Sequence, residues 1–325
     1  MINLLGKVNR FNYKNFSRAD FSGYEVFLGA EEDFKYLPAI MRRLNVVSVH
    51  EPAKNFDLAS AGQKGEESNR LMVKLLTCLA DLDFRGVMVI HGAFFNETVG
   101  ERTACLKTLA GRLDRLAARF PGIKISLETD ILFFNQILDN RALLALPEDF
   151  LALKKYLKGK LYITLDFEHV LISSLFQDFI GRHKQFYLRV KNLADLKKPR
   201  VLELEAAWLN YLKKNRSRLD KIFSANLNKF VKLKPAIVNF HLSPSNMLKY
   251  WYDEKIFAPL QGEHLSVKET DDKLNYKLIK SYLPKLSAGN QINVVIEIWP
   301  RQVRRYVKEL KKSGKLIKKI WRLKK

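Results

Sequence analysis

Cysteine is scarce in this chain, long apolar runs are missing, and acids are outnumbered. The 325 residues include two cysteines, Cys78 and Cys105, so no disulfide framework can be built. Their spacing fits no metal motif; both read as buried thiols of a protein kept in a reducing compartment, and the expectation is cytoplasmic. No run approaches the roughly 18 apolar residues that a membrane span needs. The start, Met-Ile-Asn-Leu-Leu-Gly-Lys, has no long apolar segment after a basic beginning, so it does not read as a secretory signal.

Acids number 34 against 57 lysines and arginines, a net charge of +23. Most of that charge is local. Arg301 to Lys325 holds twelve basic residues and one acid, Glu309, for +11. Lys184 to Lys234 holds fourteen against four acids, for +10, which leaves only +2 elsewhere. A nearly neutral body with two basic segments can touch nucleic acid or an anionic membrane through those segments. The plainer alternative is lysine-rich, solvated helix faces.

What the chain does have is a 47% hydrophobic share, enough for a large core, and apolar runs that end on ionisable residues. The run at 161–165 ends at Asp166, with His169 three positions on. Runs at 46–49, 87–90, 123–127, 237–240 and 294–296 end at His50, His91, Glu128, His241 and Glu297. Four of only six histidines sit at these endings. Runs of this kind suit strands buried on both faces. With 2–5 and 23–29 they make eight strands.

Helices are expected between them at 31–44, 66–82 and 103–120, in short pieces around Pro147, at 202–212 within an enlarged connection over 171–235, and at 274–283, stopped by Pro284. A closing helix begins at Pro300 and breaks at Ser313-Gly314. Alternation of this kind implies an α/β fold, a (β/α)8 TIM barrel over 1–300 with a basic C-terminal helix or tail over 301–325. In such a barrel the C-terminal strand ends face one mouth. His50, His91, Glu128, Asp166, His169, His241 and Glu297 would then share a site. Mixed nitrogen and oxygen donors suit a divalent metal, zinc or manganese, and seven donors allow one to two ions.

The order Val-His-Glu-Pro (49–52), Ile-His-Gly (90–92), Leu-Glu-Thr (127–129), Leu-Asp-Phe-Glu-His (165–169), Phe-His-Leu-Ser (240–243) and Ile-Glu-Ile (296–298) resembles the xylose isomerase-like barrel superfamily. That group holds sugar phosphate isomerases and epimerases and endonuclease IV. The resemblance implies Glu128, Asp166, His241 and Glu297 as metal ligands. Glu128 and Glu297 would also move the substrate's proton, with His169 as a further catalytic group. His50, His91 and His169 would orient substrate or hold another ion, and Glu51 and His264 would contact substrate. The endonuclease branch adds an Asp-x-His pair after the seventh strand. Here 255–261 has neither residue, Gly262 precedes His264 by two positions, and Pro244 stands where an Asp is usual. Three readings follow, in this order: a metal-dependent sugar or sugar-phosphate isomerase or epimerase; an abasic-site endonuclease using metal-activated water; and a non-catalytic metal-binding barrel working through its basic tail.

Overall fold

Val, Ile and Leu runs favour the pleated, two-face-buried environment of a parallel sheet. The computed structural model describes residues 1–52, 56–96, 98–132, 140–182, 199–243, 275–289, 291–298 and 305–323. Its strands are β1 (Ile2–Val8), β2 (Gly23–Phe27), β3 (Val46–His50), β4 (Val87–Ile90), β5 (Phe94–Asn96), β6 (Lys124–Glu128), β7 (Asn140–Ala142), β8 (Ile163–Asp166), β9 (Ile237–Leu242) and β10 (Ile292–Ile296). Eight of them close a parallel barrel in the order β1-β10-β9-β8-β6-β4-β3-β2. Each of the eight expected strands is a barrel strand. The antiparallel pair β5–β7 was not expected; three-residue strands carry too little periodicity to read.

The helices are α1 (Leu37–Arg43), α2 (Gln63–Asp81), α3 (Val99–Arg119), α4 (Pro147–Lys154), α5 (Phe167–Arg182), α6 (Pro199–Lys214), α7 (Leu219–Phe230), α8 (Tyr276–Ser287) and α9 (Tyr306–Trp321). Among the described residues, no helix is long and apolar enough to cross a membrane.

Several expectations about helices need correction. The segment expected as one helix over 31–44 is a 3-10 turn, Glu31–Tyr36, followed by α1. Pro284 does not stop α8, which runs through it to Ser287 because Leu283 and Leu286 are buried on the core. The helix ends instead where Ala288 and Gly289 take positive φ, 48° and 88°. Ser313-Gly314 does not break α9. Both residues are buried, and a Cβ on Gly314 would lie 2.7 Å from the Phe21 ring. The small residues allow close approach to the barrel rather than a bend. Leu310, Ile317 and Trp321 are fully buried, so α9 is barrel wall.

The enlarged connection carries α6 and α7, and α5 joins α6 through aromatic packing. Trp208 stacks on Tyr211 at 5.5 Å, and Phe179 meets Trp208 edge-on at 5.2 Å. The Tyr211 hydroxyl donates to Asp178 at 2.6 Å. The strand expected to end at Asp166 does so, and the chain passes straight into a helix. Phe167 opens α5, and His169 sits in its first turn.

Candidate metal centre

Strand alternation puts every second side chain into the barrel. On four strands the last two such positions are a small polar residue and then a donor. They read Ser48-x-His50, Ser126-x-Glu128, Thr164-x-Asp166 and Asn239-x-His241. The inner layer is tied together by hydrogen bonds, Ser126 Oγ with Thr164 Oγ1 at 2.8 Å among them. The outer layer gathers the donors. His50, Glu128, Asp166 and His241 are each almost wholly buried, and Glu297 follows β10 at 3% exposure.

Glu128 is the hub. Its Oε2 lies 3.0 Å from His50 Nε2 and 3.6 Å from His91 Nε2, and its Oε1 lies 2.9 Å from His241 Nδ1. Each of these rings has its other nitrogen on an outer acceptor. His50 Nδ1 faces the Glu51 carbonyl at 3.2 Å, His91 Nδ1 the Glu51 carboxylate at 3.0 Å, and His241 Nε2 the Glu25 carboxylate at 3.1 Å. The His169 ring is tied by Nδ1 to the Thr129 carbonyl at 2.6 Å, and its Nε2 lies 3.9 Å from Asp166 Oδ2. An outer partner on one nitrogen fixes the ring and leaves the other aimed at the centre.

Asp166 divides its oxygens. Oδ1 accepts from the backbone N–H groups of Glu168 at 2.7 Å and His169 at 3.1 Å, capping α5. Oδ2 is buried and has no hydrogen-bond partner. Donor atoms of Glu128, Asp166, His241 and Glu297 all lie within 4.8 Å of one another; those of His50, Glu128 and His241 form a second such group. An orphaned buried carboxylate oxygen beside three further donors is what a divalent ion would satisfy, so the residues fit a metal.

The electrostatics follow from burial and these contacts. Burial alone would lower the His241 and His91 values. For His241 the charges of Glu128 and Glu25 outweigh burial and hold it near 9. For His91, the charge of Glu128 and the hydrogen bond its ring donates to Glu51 hold it near 10. Burial and the Lys7 charge push His50 down to about 4. Burial raises Glu128, but His241 and His91 more than reverse it, leaving Glu128 well below the carboxylate range. Burial lifts Glu51 to about 7 and Asp130 to about 6.

Seven of the residues singled out in the sequence as donors therefore meet here. Glu51 is buried against His91, with no opening to solvent. His264 and Pro244 lie outside the described residues, as does His183. Glu25, Lys7 and Asp130 are buried members of the cluster that reading the sequence missed. Lys7 bonds Glu297 and lies 3.3 Å from Glu25. The signals were faint: a lone acid inside the apolar strand 23–29, a lysine two residues past the expected end of β1, and an acid two positions after Glu128.

No protein-family model and no curated protein matches the chain. Solved structures do. A D-tagatose 3-epimerase-like protein is 18% identical over 98% of both chains, with a TM-score of 0.60. The chain has the xylose isomerase-like barrel fold. Other xylose isomerase-like barrels similar to it are an L-ribulose 3-epimerase, 12% identical over 99% of this chain and 95% of that one at TM-score 0.56, and an AP endonuclease, family 2, from Brucella melitensis, 15% identical over 93% and 95% at 0.53. At these identities the likeness concerns the fold.

Proposed function

We propose that the chain is a metal-dependent isomerase or epimerase of a sugar or sugar phosphate. The observation that carries this is the buried convergence of Glu128, Asp166, His241 and Glu297 within 4.8 Å, at the end of the barrel where such enzymes work. The epimerase-named structures of the same fold support it.

In this reading those four residues hold a divalent cation, zinc or manganese. Bound there, it supplies a Lewis acid that polarises a substrate oxygen and acidifies the neighbouring C–H. The chain's own residues do the rest. Glu128 and Glu297 approach the centre from β6 and from the end of β10, so one carboxylate oxygen can take a proton from carbon and another can return one. Lys7 bonds Glu297 directly and keeps positive charge beside it, and His241 Nδ1 lies 3.3 Å away. His169, 7% exposed and fixed by Thr129, and His91, the most exposed imidazole of this cluster, orient substrate hydroxyls at the mouth.

The test is metal analysis of purified protein, followed by incubation with a panel of ketoses, aldoses and their phosphates in D2O. Deuterium entering a substrate C–H position is expected, with its loss in Glu128→Gln. Bound metal without exchange on any sugar would reject the isomerase reading.

The endonuclease reading has one specific support beyond the similar AP endonuclease fold: the +21 confined to two segments, suited to DNA phosphates. Nicking of an abasic-site duplex by the metal-loaded protein, with no sugar exchange, would install it instead.

A further inference from the structure

Beneath the four donors lies a carboxylate that is not itself one of the proposed metal ligands. Glu25 sits in the middle of β2, wholly buried, opposite Lys7 on β1 and Ser48 on β3. We propose that Glu25 is the positioning residue that turns His241 toward the metal; this rests on the metal reading above and assigns a role within it.

An imidazole offers a lone pair at Nδ1 only when its proton is held at Nε2. Glu25 Oε2 is 3.1 Å from His241 Nε2, while Nδ1 faces Glu128 at 2.9 Å and Glu297 at 3.3 Å. A buried carboxylate accepting from Nε2–H therefore fixes both the ring plane and the tautomer that a metal needs. Glu25 cannot swing to do anything else. Its Oε2 accepts from Ser48 Oγ at 2.8 Å and from Asn239 Nδ2 at 3.4 Å, and its Oε1 is ion-paired with Lys7 at 3.3 Å. Anchors from β1, β3 and β9 thus converge on one side chain. With 0% exposure, one layer below the donors, Glu25 is out of a substrate's reach. His91 shows the same device with Glu51, whereas His50 and His169 use backbone carbonyls.

A rival role for Glu25 is structural: neutralising buried Lys7. The two roles predict opposite behaviour for Lys7→Met. Lys7 also bonds Glu297, so it competes with a cation for that donor. If Glu25 serves His241, removing Lys7 leaves metal affinity at least as high as in the wild type. If Glu25 serves Lys7, Lys7→Met strands a buried carboxylate and harms the protein as Glu25→Ala does.

The experiment measures Zn2+ and Mn2+ affinity of the full chain by competition with a chromogenic chelator, with urea unfolding recorded for each variant. Glu25→Ala is expected to weaken binding by about 10- to 100-fold while unfolding stays cooperative. Glu25→Gln, whose amide oxygen still accepts, falls between Glu25→Ala and the wild type. Affinities of both variants within twofold of the wild type would overturn the proposal, and so would Lys7→Met weakening binding as much as Glu25→Ala. A metal-free readout keeps the two readings apart. In 15N-labelled apoprotein the His241 Nε2–H proton should exchange slowly, and Glu25→Gln should speed its exchange. Unchanged exchange refutes the orienting role. A wild-type protein that binds neither ion yet keeps the protected proton refutes the metal reading and retains the Glu25–His241 coupling.

Discussion

At the scale of single residues, Asp166 carries two duties on two atoms, and a conservative change should separate them. Oδ1 caps α5 and Oδ2 is the orphaned oxygen of the centre. Asn caps a helix about as well as Asp, so Asp166→Asn should keep unfolding free energy close to the wild type but lose most metal affinity. Asp166→Ala should lose both, with about 1 kcal/mol from the cap alone. Calorimetry with urea unfolding checks this, and equal metal affinity in Asp166→Asn would refute it.

The imidazoles set the pH window of the metal-free protein. His241 near 9 and His91 near 10 are raised in the fold, so their contribution is complete below the unfolded value near 6.5 and disappears as pH climbs through 9 to 10. His50 near 4 and the lowered Glu128 are depressed, so their contribution holds above their unfolded values and is lost as pH falls through about 4 and below. Apoprotein Tm should fall at both ends. In His91→Gln the fall on the alkaline side should flatten, and an unchanged alkaline limb would count against the assignment.

At the scale of elements, the seam between α9 and the barrel depends on an absent side chain. The Phe21 ring is wedged between Gly6 of β1 and Gly314 of α9, where added Cβ atoms would lie 2.8 and 2.7 Å from it. Gly314→Ala gains helix propensity of roughly 1 kcal/mol. Overpacking against an immobile ring costs about 1–3 kcal/mol, so the variant should be less stable overall. Shrinking the ring in a Gly314→Ala, Phe21→Leu double variant should recover part of the loss, which a double-mutant cycle in urea measures. Additive losses would show that the two do not meet. The strands of this fold could be read because a barrel strand is buried on both faces and most of its residues are apolar. The α5 start was harder to read: strand and helix join with no loop at Asp166, and the one local mark is Asp166 itself, which serves as the cap.

At the scale of the whole molecule, the basic charge of α9 faces outward. Lys308, Lys315 and Lys319 lie on the exposed face of α9, with exposed Arg322 just past its end, while Ile317 and Trp321 are buried behind them. Changing Lys308, Lys315 and Lys319 to Glu should lower the salt concentration that elutes the protein from heparin without lowering Tm. Deleting 313–325 should lower Tm sharply, since each large buried side chain contributes about 1.5–3 kcal/mol. Unchanged heparin elution would assign the basic face to solvation alone.

The sequence by itself determined the barrel and the donors at its mouth, because eight apolar runs each needed a sheet and six of them stopped on a ligand-type residue. It also held an unused clue in the small polar residue two places before His50, Glu128, Asp166 and His241. What only the tertiary structure decided is which atom meets which: that Glu128 is shared by three imidazoles, that Glu51 turns to His91, and that Lys7 and Glu25 reach the centre from β1 and β2. Such contacts depend on strand register and barrel closure, which bring residues more than 200 positions apart within hydrogen-bond distance. No local pattern encodes that distance.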